Sequence, residues 1–367
     1  MFLEAKRADV YTLLHKIIET ETEICLVVRE GLDEWVSPGS KDLPEPSMAG
    51  FPKETCTVLT TSRPWKLADE RIKNSQIDSL IEIEGISNPY LFSEPILRCI
   101  IDQRKNLEET VNKFNDFAKR HKLKSLSSSP MLYVLVIYIW EHTIEEREHL
   151  KSWSLCSLYT AMLESLCKKA HSVPGYFNPP PVQYFSNPSY LQPNIEHLDN
   201  VAEVACQLLF SSERESSIVF DDNTLSNHPK TFADCKMFAL RAGIFTNRKN
   251  KCWKGSSISF IHKTVQEFLA AYHIACNPNV IDDIISRYLN CYNDSYLEIS
   301  QVFIFLCGMN ISSANKLSAL MNQCDIDYCF PKEFCPCAFQ SIIESGISEA
   351  LANKQDGICL KLSHVCL

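Results

Sequence analysis

The sequence predicts a mainly α-helical chain with a partial α/β start, on three observations. There are 10 Gly against 18 Pro in 367 residues, the usage of helices punctuated by proline breaks rather than of a turn-rich β protein. Two short apolar runs near the amino terminus, each ending in polar residues, have the pattern of buried parallel strands. Beyond about residue 100, apolar positions recur at helical spacing, with one hairpin signal among them.

The elements follow in order. Residues 4–19 place Val10, Leu13, Leu14, Ile17 and Ile18 on one helical face. Ile24–Val28 is a strand apolar on both faces, as inside a parallel sheet. Residues 37–55 hold four Pro and two Gly and read as a loop. A second strand, Thr57–Thr61, runs into Ser62, Arg63 and Pro64, and a third candidate at 79–86 alternates with period 2. Leu107, Val111, Phe114 and Ala118 share a face of a charged helix. "SSSP" at 127–130 opens an apolar helix through Trp140, with a serine cap and proline in its first turn. Another helix covers about 153–170, and 171–193, with six Pro, is a linker or irregular connection. Helices follow near 195–211 and 231–242, then two strands at 243–248 and 256–261 around a basic turn. A helix with Val265, Phe268, Leu269 and Tyr272 on one face comes next. Helix, helix, hairpin, helix is a winged-helix order. Residues 280–367 read as further helices.

Composition narrows the function. A net charge of −9 argues against general binding to nucleic acid or anionic membranes. The longest apolar run, 131–140, is half the roughly 20 residues a membrane-spanning helix needs. With 17 Cys, an odd number, the expectation is a soluble cytoplasmic protein with free thiols.

Three stretches carry chemistry. In "CLVVREGLDE", Glu30, Asp33 and Glu34 follow a buried strand. Such carboxylates can hold Mg²⁺ and orient an attacking water, or form a solvated acidic turn. In "TVLTTSRP", Arg63 just past a strand can pair with a terminal phosphate, or lie on the surface in a turn. In "FIHKTVQEFLAAYHI", His262 opens a helix, where it can meet a phosphate favoured by the helix dipole, or act as a capping or core histidine.

Together these stretches resemble the NACHT family of STAND nucleoside triphosphatases, found in NOD-like innate immune receptors. The first resembles the family's Walker B strand, the second its sensor-1 strand, and the third a signature of its winged-helix domain. "SSPMLYVLVIYIW", "FALRAGIF" and "VFIFLCGMN" add weaker agreement in the same order, so the likeness spans most of residues 20–310. It implies a truncated P-loop-type α/β domain (1–90), a helical domain with linker (91–192), a winged helix (193–278) and a second helical domain (279–367). It implies that Glu30 and Asp33 bind Mg²⁺ and that Asp33 and Glu34 activate water. Arg63 would meet the terminal phosphate, Pro130 would pack near adenine, and His262 would contact the β-phosphate of ADP. The implied protein is an ATP/ADP-switched signalling scaffold that self-oligomerises.

The departures matter as much. Glu30 stands where the family has Asp, with Arg29 beside it. No G-x-x-x-x-G-K-[ST] occurs in the sequence, so the chain is expected to begin inside the nucleotide-binding domain, as a piece of a longer product or a degenerate copy. Weak or absent ATP binding by this chain alone follows. A pure interaction module stays open as an alternative. So does a nucleic-acid-binding winged helix, through Arg241, Arg248, Lys249, Lys251 and Lys254. Cys324, Cys329, Cys335 and Cys337 could bind zinc, but lack the paired Cys-x2-Cys spacing and suit buried thiols as well.

Overall fold

The computed structural model describes residues 26–29, 57–61, 79–81, 85–101, 106–120, 130–142, 154–170, 184–185, 189–211, 219–220, 232–249, 256–291, 295–329 and 338–363. The chain divides into two compact units, Met1–Leu80 and Ile81–Leu367. Among the described residues it is mainly helical, with a small antiparallel sheet.

In the first unit, β1 (Leu26–Arg29) and β2 (Thr57–Thr60) pair in parallel, from Leu26 opposite Thr57 to Arg29 opposite Thr60. The two expected strands are therefore paired neighbours that end side by side. Their cover differs from expectation. Cross-strand partners Val28 and Leu59 are 57% and 46% exposed, so this face is not the doubly buried face of a central parallel sheet. The third strand expected at 79–86 is not formed at Ser79–Ile81 or at Gly85–Ile86. Leu80 and Ile81 are exposed, and period-2 alternation without a paired neighbour has nothing to fix it as a strand. The expected helix at 4–19 and loop at 37–55 lie outside the described residues.

The second unit opens with α1 (Pro89–Ile100), α2 (Leu107–Arg120) and α3 (Pro130–His142). Asn88 caps α1 by accepting the Tyr90 and Leu91 N–H groups, and Pro89 sits at its first position, where no donor is lost. These helices share a core in which Phe114 meets Tyr133 and Trp140 edge-on, at 6.0 and 5.2 Å between ring centroids. Phe114 and Ala118 are buried, as the periodicity predicts.

The next helix, α4 (Leu155–Ala170), joins this cluster through Leu158 and a larger core through Tyr159 and Leu163. The proline-rich connection after it is tied down at Tyr190: the Glu164 carboxylate accepts the N–H groups of Ser189, Tyr190 and Leu191 at 2.6–2.7 Å. Then come α5 (Ile195–Leu209), the two-residue strand β3 (Val219–Phe220), α6 (Phe232–Ala242), β4 (Phe245–Lys249), β5 (Ser256–Phe260) and α7 (Lys263–Cys276). The antiparallel sheet has order β3–β5–β4. Phe220, Phe245 and Phe260 pack together across it, with centroids 4.8–5.9 Å apart. Gly243, at φ +82°, makes the turn from α6 into β4.

Helix α7 was expected to be amphipathic. Its predicted face is buried, but so is most of the rest, including Gln266 and Glu267. It is a central helix walled by α5 on one side and the carboxyl-terminal helices on the other. Those are α8 (Ser286–Cys291, entered through a π-helical turn), α9 (Ser295–Glu298), α10 (Ser300–Met309), α11 (Ile311–Cys329) and α12 (Ala338–Ala352). Beyond α12 the chain runs extended along α11. Asn315 binds Gly357 and Cys359, Ser318 binds the Lys361 N–H, and Asn322 binds Ser363. Ile358, Leu360 and Leu362 alternate inward onto the core.

Candidate functional site

His262 is the best-defined of the sequence-derived site residues. It lies between β5 and α7, with extended backbone angles (φ −158°, ψ 149°), and its side chain caps α7. The cap is made by Nδ1, which accepts the Thr264 N–H at 3.2 Å and lies 2.8 Å from the Thr264 hydroxyl. In the neutral imidazole an acceptor at Nδ1 has no proton of its own, which puts the ring proton on Nε2. His262 is exposed. An exposed imidazole at a helix start, with Nε2–H as donor, is chemically suited to an anion.

Behind it the surroundings are rigid. The Tyr159 hydroxyl of α4 donates to Thr264 Oγ1 at 2.6 Å. The Tyr159 ring stacks on Phe268 of α7 at 5.3 Å and meets Phe305 of α10 edge-on at 4.9 Å. Burial pushes the Tyr159 phenol up to about 12, so it stays a donor through the neutral range.

One turn of α4 away, a second constellation holds the helices together. The Glu349 carboxylate of α12 accepts the Leu155 and Cys156 N–H groups at 2.9 and 2.8 Å, capping α4 from 194 and 193 residues away. Asn353 donates to Glu349 Oε1 at 2.9 Å and accepts from Ser154 Oγ at 2.9 Å. Gly308 of α10 completes the junction: a Cβ there would lie 2.6 Å from Cys156 Sγ, 2.7 Å from Asn353 Nδ2 and 3.0 Å from Glu349 Cγ. Burial and the nearby Glu349 carboxylate hold the Cys156 thiol well above its ordinary range.

The other expected residues fare differently. Pro130 is the exposed first residue of α3. Glu30, Asp33, Glu34 and Arg63 lie outside the described residues. The parallel register of β1 and β2 brings the chain positions just before Glu30 and Arg63 to one end of the pair. Arg241 is exposed on α6 and Arg248 and Lys249 lie in β4, while Lys251 and Lys254 fall outside. Cys324 is half-buried in α11 and Cys329 ends that helix, and Cys335 and Cys337 fall outside. Among the described residues no group of three or more His, Cys, Asp or Glu is placed to hold a metal ion. No helix among them is long and apolar enough to cross a membrane.

Sequence reading missed Tyr159, Glu349 and Asn353. Tyr159 and Glu349 sit in ordinary helical patterns and Asn353 just past the end of α12, and each has a partner about 105–200 residues away. A scan against protein-family models found no match, and a search of curated proteins found none either.

Proposed function

We propose that this chain is the switch region of a NACHT-type, ATP/ADP-responsive signalling scaffold of innate immune character. In this reading His262 contacts the terminal phosphate of a bound nucleoside diphosphate and the helical units close around it. The observation that carries it is the exposed His262 whose Nδ1 caps α7 by accepting the Thr264 N–H, in a motif that resembles the family's. Two further observations support it. The order α5, β3, α6, β4, β5, α7 with a β3–β5–β4 sheet suits a winged helix. The parallel β1–β2 pair suits adjacent Walker B and sensor-1 strands, whose magnesium would be held by Glu30 and Asp33 with Asp33 and Glu34 orienting water. Pro130 would border the adenine and Arg63 the phosphates.

The work done is binding more than turnover. A ligand that contacts the closed arrangement better than the open one shifts the population between them. Self-association would follow opening. The sequence holds no G-x-x-x-x-G-K-[ST] loop to cradle the phosphates, so in this reading the affinity of this chain for nucleotide is low.

Titration with fluorescent ADP, in wild type and in His262→Ala, tests the reading. Weak saturable binding, lowered in the variant, supports it. Binding indifferent to His262 refutes the assigned contact. A wild type without binding, but competent in pull-down of partner protein, favours an interaction module. The basic residues Arg241, Arg248 and Lys249 keep nucleic-acid binding as an outcome the same protein reports, through salt-sensitive DNA retention.

A further inference from the structure

We propose that Tyr159 is a positioning residue for His262: through the Thr264 hydroxyl it selects the tautomer of the imidazole and ties that choice to the packing of α4, α7 and α10. The phosphate-facing consequence rests on the reading above. The tautomer control itself does not.

The directions of three hydrogen bonds carry the inference. The Tyr159 O–H donates to Thr264 Oγ1 at 2.6 Å. A hydroxyl that receives a proton on one lone pair is polarised to give its own, and the atom in reach is His262 Nδ1 at 2.8 Å. The Thr264 N–H already points at that nitrogen from 3.2 Å. Two donors therefore converge on Nδ1, and a proton there would face both of them. The imidazole is left with its proton on Nε2, the atom remote from Thr264.

Remove the phenol oxygen and the logic loosens. Thr264 Oγ1 is then no longer polarised as a donor, and its O–H can turn away and leave the oxygen to accept from an Nδ1–H. The Thr264 N–H still opposes that tautomer, but the hydroxyl no longer does. The chain of bonds thus has a sense, from Tyr159 outward to His262, and its origin lies on a different helix from its end.

That origin is also where three helices meet. The Tyr159 ring is fixed between Phe268 of α7 and Phe305 of α10, which themselves meet edge-on at 5.1 Å. A hydrogen bond of 2.6 Å does not survive a displacement of even 1 Å. A shift of α4 or α10 against α7 therefore breaks the Tyr159–Thr264 contact before it disturbs the cap that His262 Nδ1 makes on the Thr264 N–H. Helix packing thereby sets how strongly the proton is held on Nε2 of the exposed ring, since one of the two donors facing Nδ1 depends on it.

The test uses the full chain labelled with ¹⁵N-histidine. Long-range ¹H–¹⁵N spectra separate the two ring nitrogens and report which is protonated, with no nucleotide present. Wild type is expected to show His262 Nδ1 as an unprotonated acceptor and Nε2 as protonated. Tyr159→Phe, which keeps the ring and its packing, is expected to move Nδ1 towards the averaged position of two exchanging tautomers. Thr264→Val should do the same, and Thr264→Ser should restore the wild-type pattern. Unchanged ring shifts in both Tyr159→Phe and Thr264→Val would overturn the proposal. Where wild type binds ADP, the affinity of Tyr159→Phe should fall by the factor lost from the Nε2–H population. Absence of ADP binding by wild type would count against the nucleotide reading and leave the tautomer result to be judged by itself.

Discussion

Replacing Glu349 by alanine removes a carboxylate that caps α4 from the far end of the sequence. Its two acceptors hold the Leu155 N–H, which is part-buried, and the Cys156 N–H, which is buried. These fates differ. Water can reach Leu155 once the side chain is gone, so most of that bond is recovered. Cys156 stays dry and unpaired, at a cost of about 1–3 kcal/mol. Loss of a helix cap adds about 1 kcal/mol. Asn353 loses Glu349 Oε1 but keeps the Glu349 carbonyl at 2.8 Å, so it adds little. The expected destabilisation is about 2–4 kcal/mol, and the isosteric Glu349→Gln, which retains one acceptor, should cost about half of that. Urea unfolding gives the total, and amide hydrogen exchange of peptides covering 155–160 gives the local part. A change below about 0.5 kcal/mol, with protection at 155–160 unaltered, would refute the assignment of this carboxylate as the cap.

Three other outcomes can be checked in the same protein. Gly308→Ala puts a methyl 2.6 Å from Cys156 Sγ and 2.7 Å from Asn353 Nδ2, which should cost about 1–3 kcal/mol by overpacking and lower the thermal midpoint. Burial lowers His273 from its ordinary 6.5, against the opposing pull of Glu203 and Asp199. The unfolded chain therefore binds the extra proton first, stability falls as pH drops below about 6.5, and His273→Gln should flatten the stability curve in that window. Buried Cys156, Cys167, Cys206, Cys235 and Cys307, their thiols pushed up by burial, should resist alkylation in the folded protein. Cys99, Cys291 and Cys359 are exposed and should label readily by peptide mapping.

Local signals were legible in the sequence and distant ones were not. The strands at Leu26 and Thr57, the helix through Trp140 and the hairpin before His262 all appear close to where periodicity puts them, because apolar spacing reports local backbone geometry directly. At the described residues of 79–86 no strand forms, because alternation says nothing about a pairing neighbour. Strand β3 was missed because two residues carry no period. Near-complete burial of α7 was missed as well: the amphipathic spacing pointed to one apolar face, whereas Gln266 and Glu267 are buried too, in a helix that packs against both α5 and α10. At the candidate site, His262 stood out through its motif and its position before a helix. Tyr159 and Glu349 gave no such sign, since a tyrosine and a glutamate on amphipathic helices look the same whether or not a partner waits a hundred residues away.

The capping of α4 by Glu349 also has a meaning during synthesis. Leu155 leaves the ribosome 194 residues ahead of the side chain that satisfies its N–H, an interval of about 10–40 s at about 5–20 residues per second. Through that time the start of α4 is frayed, and the faces it turns to α10 and α12 have nothing to cover them. The early helices, joined by Leu158 of α4, can build the cluster around Phe114 meanwhile, with no need of residues beyond α4. The remainder must wait for its last helices to be made. A nascent chain halted before Glu349 would therefore hold one finished core and one exposed apolar surface, the kind of surface that holding chaperones bind.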